Sequence, residues 1–133
     1  MTDVPVGRLM STDLVTVSVD ATAAEAATRM LETDVNSVLV VDEAGRLEGI
    51  LTGTDFVTLV RENDPGDRTP VGTCMTTDVV TASRTDSVEA LTTLADGQYT
   101  HVPVTDDERV VVGMLSTTDL TRHLAEKRRR SEE

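Results

Sequence analysis

One seven-residue pattern occurs twice and constrains the fold more than any other feature. Its copies are Gly49-Ile50-Leu51-Thr52-Gly53-Thr54-Asp55 and Gly113-Met114-Leu115-Ser116-Thr117-Thr118-Asp119. Each copy closes an apolar run and opens an amphipathic one. A strand therefore delivers first a hydroxyl and then a carboxylate at the start of a helix. The flanking sequence repeats as well. Val6-Gly7-Arg8-Leu9-Met10 is echoed by Val71-Gly72-Thr73-Cys74-Met75, and Thr12-Asp13-Leu14-Val15-Thr16 by Thr77-Asp78-Val79-Val80-Thr81, both 65 residues on (Met10 to Met75). Farther along the offset is 64: Glu25 with Glu89, Asp42 with Asp106, Asp55 with Asp119. The lost residue falls between Thr81 and Glu89, where a loop tolerates a deletion. A repeat of this kind determines the architecture before local propensity does.

The order of elements follows from periodicity. Leu14 to Val17 reads as a short strand. Thr22-Ala23-Ala24-Glu25 is a capping box, with Thr22 as N-cap and Glu25 at N3. Ala23, Ala26, Ala27, Met30 and Leu31 share one helical face. Asn36 to Val41 is a buried-strand run, Asp42-Glu43-Ala44-Gly45 a turn, and Arg46 to Leu51 the hairpin partner. A helix from Thr54 to about Asn63 places Phe56, Leu59 and Val60 on one side. Residues 64–70 hold Pro65, Gly66 and Pro70 and read as a linker. The second half repeats the order: strand Val79 to Ala82, a helix capped by Asp86 and Glu89, strands His101 to Thr105 and Val110 to Leu115, and a helix from Thr118 to about Arg129. The expected fold class is α/β (α+β): two β-α-β-β-α repeats, 5–63 and 71–126, with a charged tail at 127–133. A unit of about 60 residues is marginal alone, so the repeats are expected to pack with pseudo-twofold symmetry.

Composition excludes several functions. The formal net charge is −12, which argues against nucleic acid and against anionic membranes, since both need a basic face. Of the basic residues only Lys127 is a lysine. An acidic, Lys-poor chain is that of a halophilic, salt-adapted cytoplasmic protein; an ordinary acidic protein is the plain alternative. The single Cys74 rules out an internal disulfide and a multi-cysteine metal site. Met1-Thr2-Asp3 opens no signal peptide, and no apolar run is long enough to span a bilayer. Catalysis and metal binding find no support. His101 and His123 lack metal spacing, no Cys/His pair suits nucleophilic chemistry, and the glycines form no phosphate-binding loop.

The chain resembles a tandem pair of cystathionine-β-synthase (CBS) domains, the module often called a Bateman domain. The resemblance runs from about Pro5 to Glu126. It rests on the Met-Thr/Ser-x-x-Leu/Val-Val-Thr lead-ins (Met10 to Thr16, Met75 to Thr81), the capped helix, Val102-Pro103-Val104-Thr105-Asp106, and the doubled Gly-x-x-Thr/Ser-x-x-Asp. Leu39 departs from it, standing where Pro103 does in the second copy. The resemblance implies a regulatory module that binds an adenosine-containing ligand (AMP, ADP, ATP or S-adenosylmethionine) in clefts between the repeats. It also implies pairing as a homodimer and action on an effector, here a separate protein. No obligatory cofactor is implied. The alternative is a ligand-independent dimerisation or scaffold module.

Residue by residue, Asp55 and Asp119 match the acceptor of the ribose hydroxyls, a role suited to an acceptor-only carboxylate. Thr52 and Ser116 match the hydroxyl on ribose or phosphate. Thr16 and Thr81, with Val17 and Ala82, match the strand exit beside the adenine. Asn36, Ser37, Thr100 and His101 match the cleft wall. The basic candidates near a phosphate are Arg84, His101 and Arg122, all in the second half, which makes the Ser116–Asp119 corner the first choice for an occupied site. A ligand with little negative charge, such as adenosine or S-adenosylmethionine, suits the acidic chain as well. Thr52…Asp55 and Ser116…Asp119 also read as plain capping boxes. One hydroxyl can serve both roles in turn.

Overall fold

The structure is a computed structural model, and it describes residues 4–87 and 101–116. In chain order the elements are α1 (Val6–Leu9), β1 (Thr16–Ser18), α2 (Ala23–Thr33), β2 (Ser37–Val41), β3 (Leu47–Thr52), α3 (Gly53–Arg61), α4 (Val71–Cys74), β4 (His101–Thr105) and β5 (Val111–Ser116). β1 runs parallel to β2, and β2 antiparallel to β3, in one three-stranded sheet; β4 and β5 form a separate antiparallel pair. The fold is mixed α and β. Among the described residues no helix is long and apolar enough to cross a membrane.

Local chemistry sets the element ends. The Glu25 N–H donates to Thr22 Oγ1 at 3.1 Å, and the Thr22 N–H donates to Glu25 Oε1 at 3.3 Å, so the capping box forms. The other free donors of the first turn are met by residues 64–70: Ala23 N–H bonds Thr69 O and Ala24 N–H bonds Gly66 O, both at 2.9 Å. That stretch is therefore a cap for α2 as well as a connection. α2 ends at Asp34, which is left-handed with φ 56°. The hairpin turn after β2 uses Gly45 at φ 84°, while the matching turn before β5 puts Arg109 at φ 73°.

Two compact units emerge: Leu14–Val79, and the described parts of Met1–Asp13 with Val80–Glu133. These units cut across the sequence repeats, because each lead-in packs with the sheet of the other repeat. In the first unit, Val71 N–H bonds Ala21 O at 2.7 Å, Gly72 N–H bonds Val19 O at 3.0 Å, and Thr76 exchanges two backbone bonds with Ile50 at 2.8 and 2.9 Å. In the second, Val6 N–H bonds Asp86 O, Gly7 N–H bonds Arg84 O, and Ser11 exchanges two bonds with Met114 at 2.8 and 2.9 Å. Each exchange extends a hairpin edge. Each lead-in also supplies a valine to its core. Val71 joins Ala26, Val38, Val40 and Leu51; Val6 joins Ala82, Val102, Val104 and Leu115. Burying one such side chain contributes roughly 1.5–3 kcal/mol.

The expected elements need three corrections. The first strand is Thr16–Ser18 rather than Leu14–Val17, since its ladder with β2 begins only where Leu39 N–H reaches Val15 O. The strand expected at Val79 to Ala82 is a single parallel bridge, Ala82 to Val104. The bond that Leu39 makes to Val15 needs a backbone N–H, and Pro103 at the matching position has none. Leu31 and Val60 share the apolar faces of α2 and α3 yet are 83% and 71% exposed. Only Ala23 and Ala26 of α2 and Leu59 of α3 are buried, a narrower stripe than the apolar pattern. Finally, α1 and α4 were not anticipated; four residues are too few to show periodicity. The helices expected to begin at Asp86 and Thr118 lie outside the described residues from 88 and 117 onward.

Candidate functional site

Each of the two corners is built on a hairpin end. In the first unit Ser37 opens β2 directly opposite Thr52, which closes β3. Thr16 opens the neighbouring β1 and pairs with Leu39, two residues into β2. Period-two alternation places Thr16, Leu39 and Ser37 on one face of the sheet. Asn36, exposed, precedes Ser37. Val17 falls on the opposite face and packs against the Ala26–Val38–Val40–Leu51–Val71 core. Its side chain belongs to that core. Ala82 is buried in the other core, among Val6, Val102, Val104 and Leu115.

α3 starts directly after Thr52. The Asp55 carboxylate turns back: Oδ2 accepts the Thr52 N–H at 2.8 Å and lies 3.4 Å from Thr52 Oγ1. Oδ1 accepts the Thr76 hydroxyl at 3.1 Å. Asp55 is therefore a helix cap and also an anchor for the lead-in of the second repeat. Thr76 was not singled out from the sequence. Its signal was the repeated Met-Thr/Ser lead-in, but nothing local said that this lead-in meets Asp55.

The glycine that opens each motif has a packing cause. A Cβ on Gly49 would lie 2.7 Å from Thr76 O and 2.8 Å from Met75 Sδ. A Cβ on Gly113 would meet the Met10 side chain, with Cγ at 2.8 Å. Both glycines let the lead-in cross the hairpin at close range. Gly53, inside the first motif, has open space around it.

In the second unit His101 opens β4 opposite Ser116 at the end of β5, the same register as Ser37 and Thr52. Burial pushes the His101 imidazole below its ordinary pKa and favours the neutral ring. Thr81 is half-buried and stands just before the Ala82 bridge, whose bonds run from Ala82 N–H to Pro103 O (3.0 Å) and from Thr105 N–H to Ala82 O (2.9 Å). Arg84 is exposed on the following turn. Thr100, Asp119 and Arg122 lie outside the described residues.

Near the first corner, the Cys74 thiol is pushed up from its ordinary value, mainly by burial and then by the negative charge of Asp55. It stays protonated at neutral pH and is a poor nucleophile. Among the described residues no group of three or more His, Cys, Asp or Glu side chains could hold a metal ion.

A family model of the CBS domain matches residues 6–62 and again 71–126; the chain belongs to the CBS-domain family, as a tandem pair. Among similar proteins is an uncharacterized 17.7 kDa protein of Acidianus ambivalens, 31% identical over 90% of this chain and 72% of the relative. Another is the L-aspartate semialdehyde sulfurtransferase of Methanocaldococcus jannaschii, 29% identical over 86% of this chain. The chain spans only 22% of that enzyme's length. Among solved structures, the CBS domain pair of protein MJ0100 in complex with 5′-methylthioadenosine and S-adenosyl-L-methionine superposes with a TM-score of 0.83. It is 28% identical, and the match covers 95% of this chain and 99% of that one.

Proposed function

We propose that this CBS pair is a regulatory module that binds an adenosine-containing ligand and signals to a separate partner protein. The observation that carries the reading is the Asp55 corner. Both carboxylate oxygens are held by donors of the chain; Oδ1 keeps acceptor capacity for a further hydroxyl, and Oδ2 gains it when the long 3.4 Å contact from Thr52 Oγ1 gives way. A ribose diol offers two such donors. Thr52, Ser37, Asn36 and Thr16 surround this corner. The proposed second corner comprises Ser116, His101, Thr81, Thr100, Asp119 and Arg122. The likeness to a pair holding S-adenosyl-L-methionine and 5′-methylthioadenosine supports an adenosyl ligand. The net charge of −12 favours one with little negative charge.

Pairing of two copies is part of the proposal. Leu31, Val57 and Val60 are 83%, 69% and 71% exposed on α2 and α3, an apolar cost that a second copy would remove. This observation also favours the second reading, a dimerisation module indifferent to ligand. On composition we propose a cytoplasmic, salt-adapted protein without catalytic activity.

Calorimetry in high salt against AMP, ADP, ATP, S-adenosylmethionine and 5′-methylthioadenosine tests the ligand reading. Heat with at least one, competed by the others, is the expected result. A folded dimer that gives no heat with any of them sinks it in favour of the scaffold reading.

A further inference from the structure

The two bonds on Asp55 differ in kind. The one from Thr52 N–H spans three residues, and many helix starts could make it. The one from the Thr76 hydroxyl spans 21 residues and joins the two repeats of the sequence. The terminal torsion of an aspartate is soft, so one bond at Oδ2 leaves the carboxylate plane free to turn. A second bond at Oδ1 sets that plane.

Thr76 is itself well held. Its backbone N–H and C=O both pair with Ile50, at 2.8 and 2.9 Å, and Ile50 lies on β3, which leads directly into α3 and Asp55. The donor and the carboxylate are thus referred to the same strand. Oδ1 has one donor and keeps a lone pair, while Oδ2 takes the Thr52 N–H and, more weakly, the Thr52 hydroxyl. The 3.4 Å approach of Thr52 Oγ1 is long and yields to a better donor. Two acceptor positions on two oxygens match a vicinal diol, which donates one O–H to each.

We propose that Thr76 is a positioning residue: its hydroxyl holds the Asp55 carboxylate in the orientation that accepts a vicinal diol. This rests on the ligand reading above. Because Thr76 is exposed, a change there leaves the cores intact.

The test compares 5′-methylthioadenosine with its 2′,3′-dideoxy analogue by calorimetry, using wild-type protein, Thr76→Val, Thr76→Ser and Asp55→Asn. Thr76→Val is expected to weaken the ribo ligand roughly three- to tenfold. Thr76→Ser should restore affinity to within about twofold, since it keeps the donor. The dideoxy analogue should bind wild-type and Thr76→Val alike. Equal losses for both ligands would make Thr76 merely structural and overturn the inference. So would an unchanged affinity in Thr76→Val. Unchanged binding by Asp55→Asn would show that this corner takes no ligand; the inference then falls while the functional reading passes to the other corner. No binding by wild-type protein fails the functional reading and takes the inference with it. Thr76→Ala serves should the valine variant not fold.

Discussion

The two corners share one register but differ in how they are furnished. Ser37 faces Thr52 in one, and His101 faces Ser116 in the other. The first adjoins a three-stranded sheet. The second adjoins a hairpin with a single bridge beside it, because Pro103 lacks the N–H that Leu39 donates to Val15. Val15 and Val80 are matched lead-in residues, so one proline shortens a strand that the sequence pattern repeats. A turn shows a similar divergence: Gly45 and Arg109 hold the same left-handed conformation with unequal ease. Backbone geometry persists across the repeat while side-chain chemistry drifts.

The largest expected effect tests the crossing of the lead-ins. Gly49→Ala meets a backbone oxygen that cannot yield, whereas Gly113→Ala meets a flexible methionine. Urea denaturation should give a loss of about 3 kcal/mol for the first and about 1 kcal/mol for the second. Equal losses would mean that Met10 is as rigidly held as Thr76. Adding Met10→Ala to Gly113→Ala should recover part of its loss.

Next in size is the carboxylate. Asp55→Ala should weaken an adenosyl ligand roughly 10- to 150-fold, the range for one charge-assisted bond. It should also cost about 1 kcal/mol of stability through the lost cap. Comparing its binding with that of Asp119→Ala ranks the corners. A larger loss at Asp119 would support the sequence-based preference for the second.

The third effect separates the corners by pH. The folded-state pKa of His101 lies below its ordinary value of 6.5, so the unfolded chain takes up the proton first. Stability from this group is full above about 6.5 and declines as pH falls toward the folded-state value. Melts at pH 7.5 and 5.5 should differ more for wild-type protein than for His101→Ser, by less than about 1 kcal/mol for a half-buried ring. An identical slope would remove His101 as a titrating element.

The smallest effect is at the turns. Arg109→Gly should stabilise by roughly 0.5–1 kcal/mol, because glycine meets no Cβ penalty at positive φ. Gly45→Ala should destabilise by a similar amount. Thermal melts would resolve both.

Much of the local structure was legible. The capping box of Thr22 and Glu25, the turn at Gly45, and strand His101–Thr105 each follow from residue chemistry within a few positions. The Asp55 corner was legible only by halves. Thr52 and Asp55 announce themselves at short range, but Thr76 does not. The resemblance names Val17 and Ala82 as positions along the chain, whereas alternation across the strand decides which face each side chain takes, and both side chains pack in a core. Leu31 and Val60 lie on the expected apolar faces but stay exposed, because periodicity gives the direction of an apolar face and not how much of it is covered.

By itself, the sequence determined the repeat, the kind and order of most described elements, and the Thr52–Asp55 corner, all of which depend on neighbours a few residues away. Only the tertiary structure decided which lead-in joins which sheet, and so why Gly49 and Gly113 carry no side chain and what holds Asp55. The reason is range. Capping and periodicity are written into adjacent residues, whereas the crossing of a lead-in over a hairpin depends on steric fit between segments brought together only by folding.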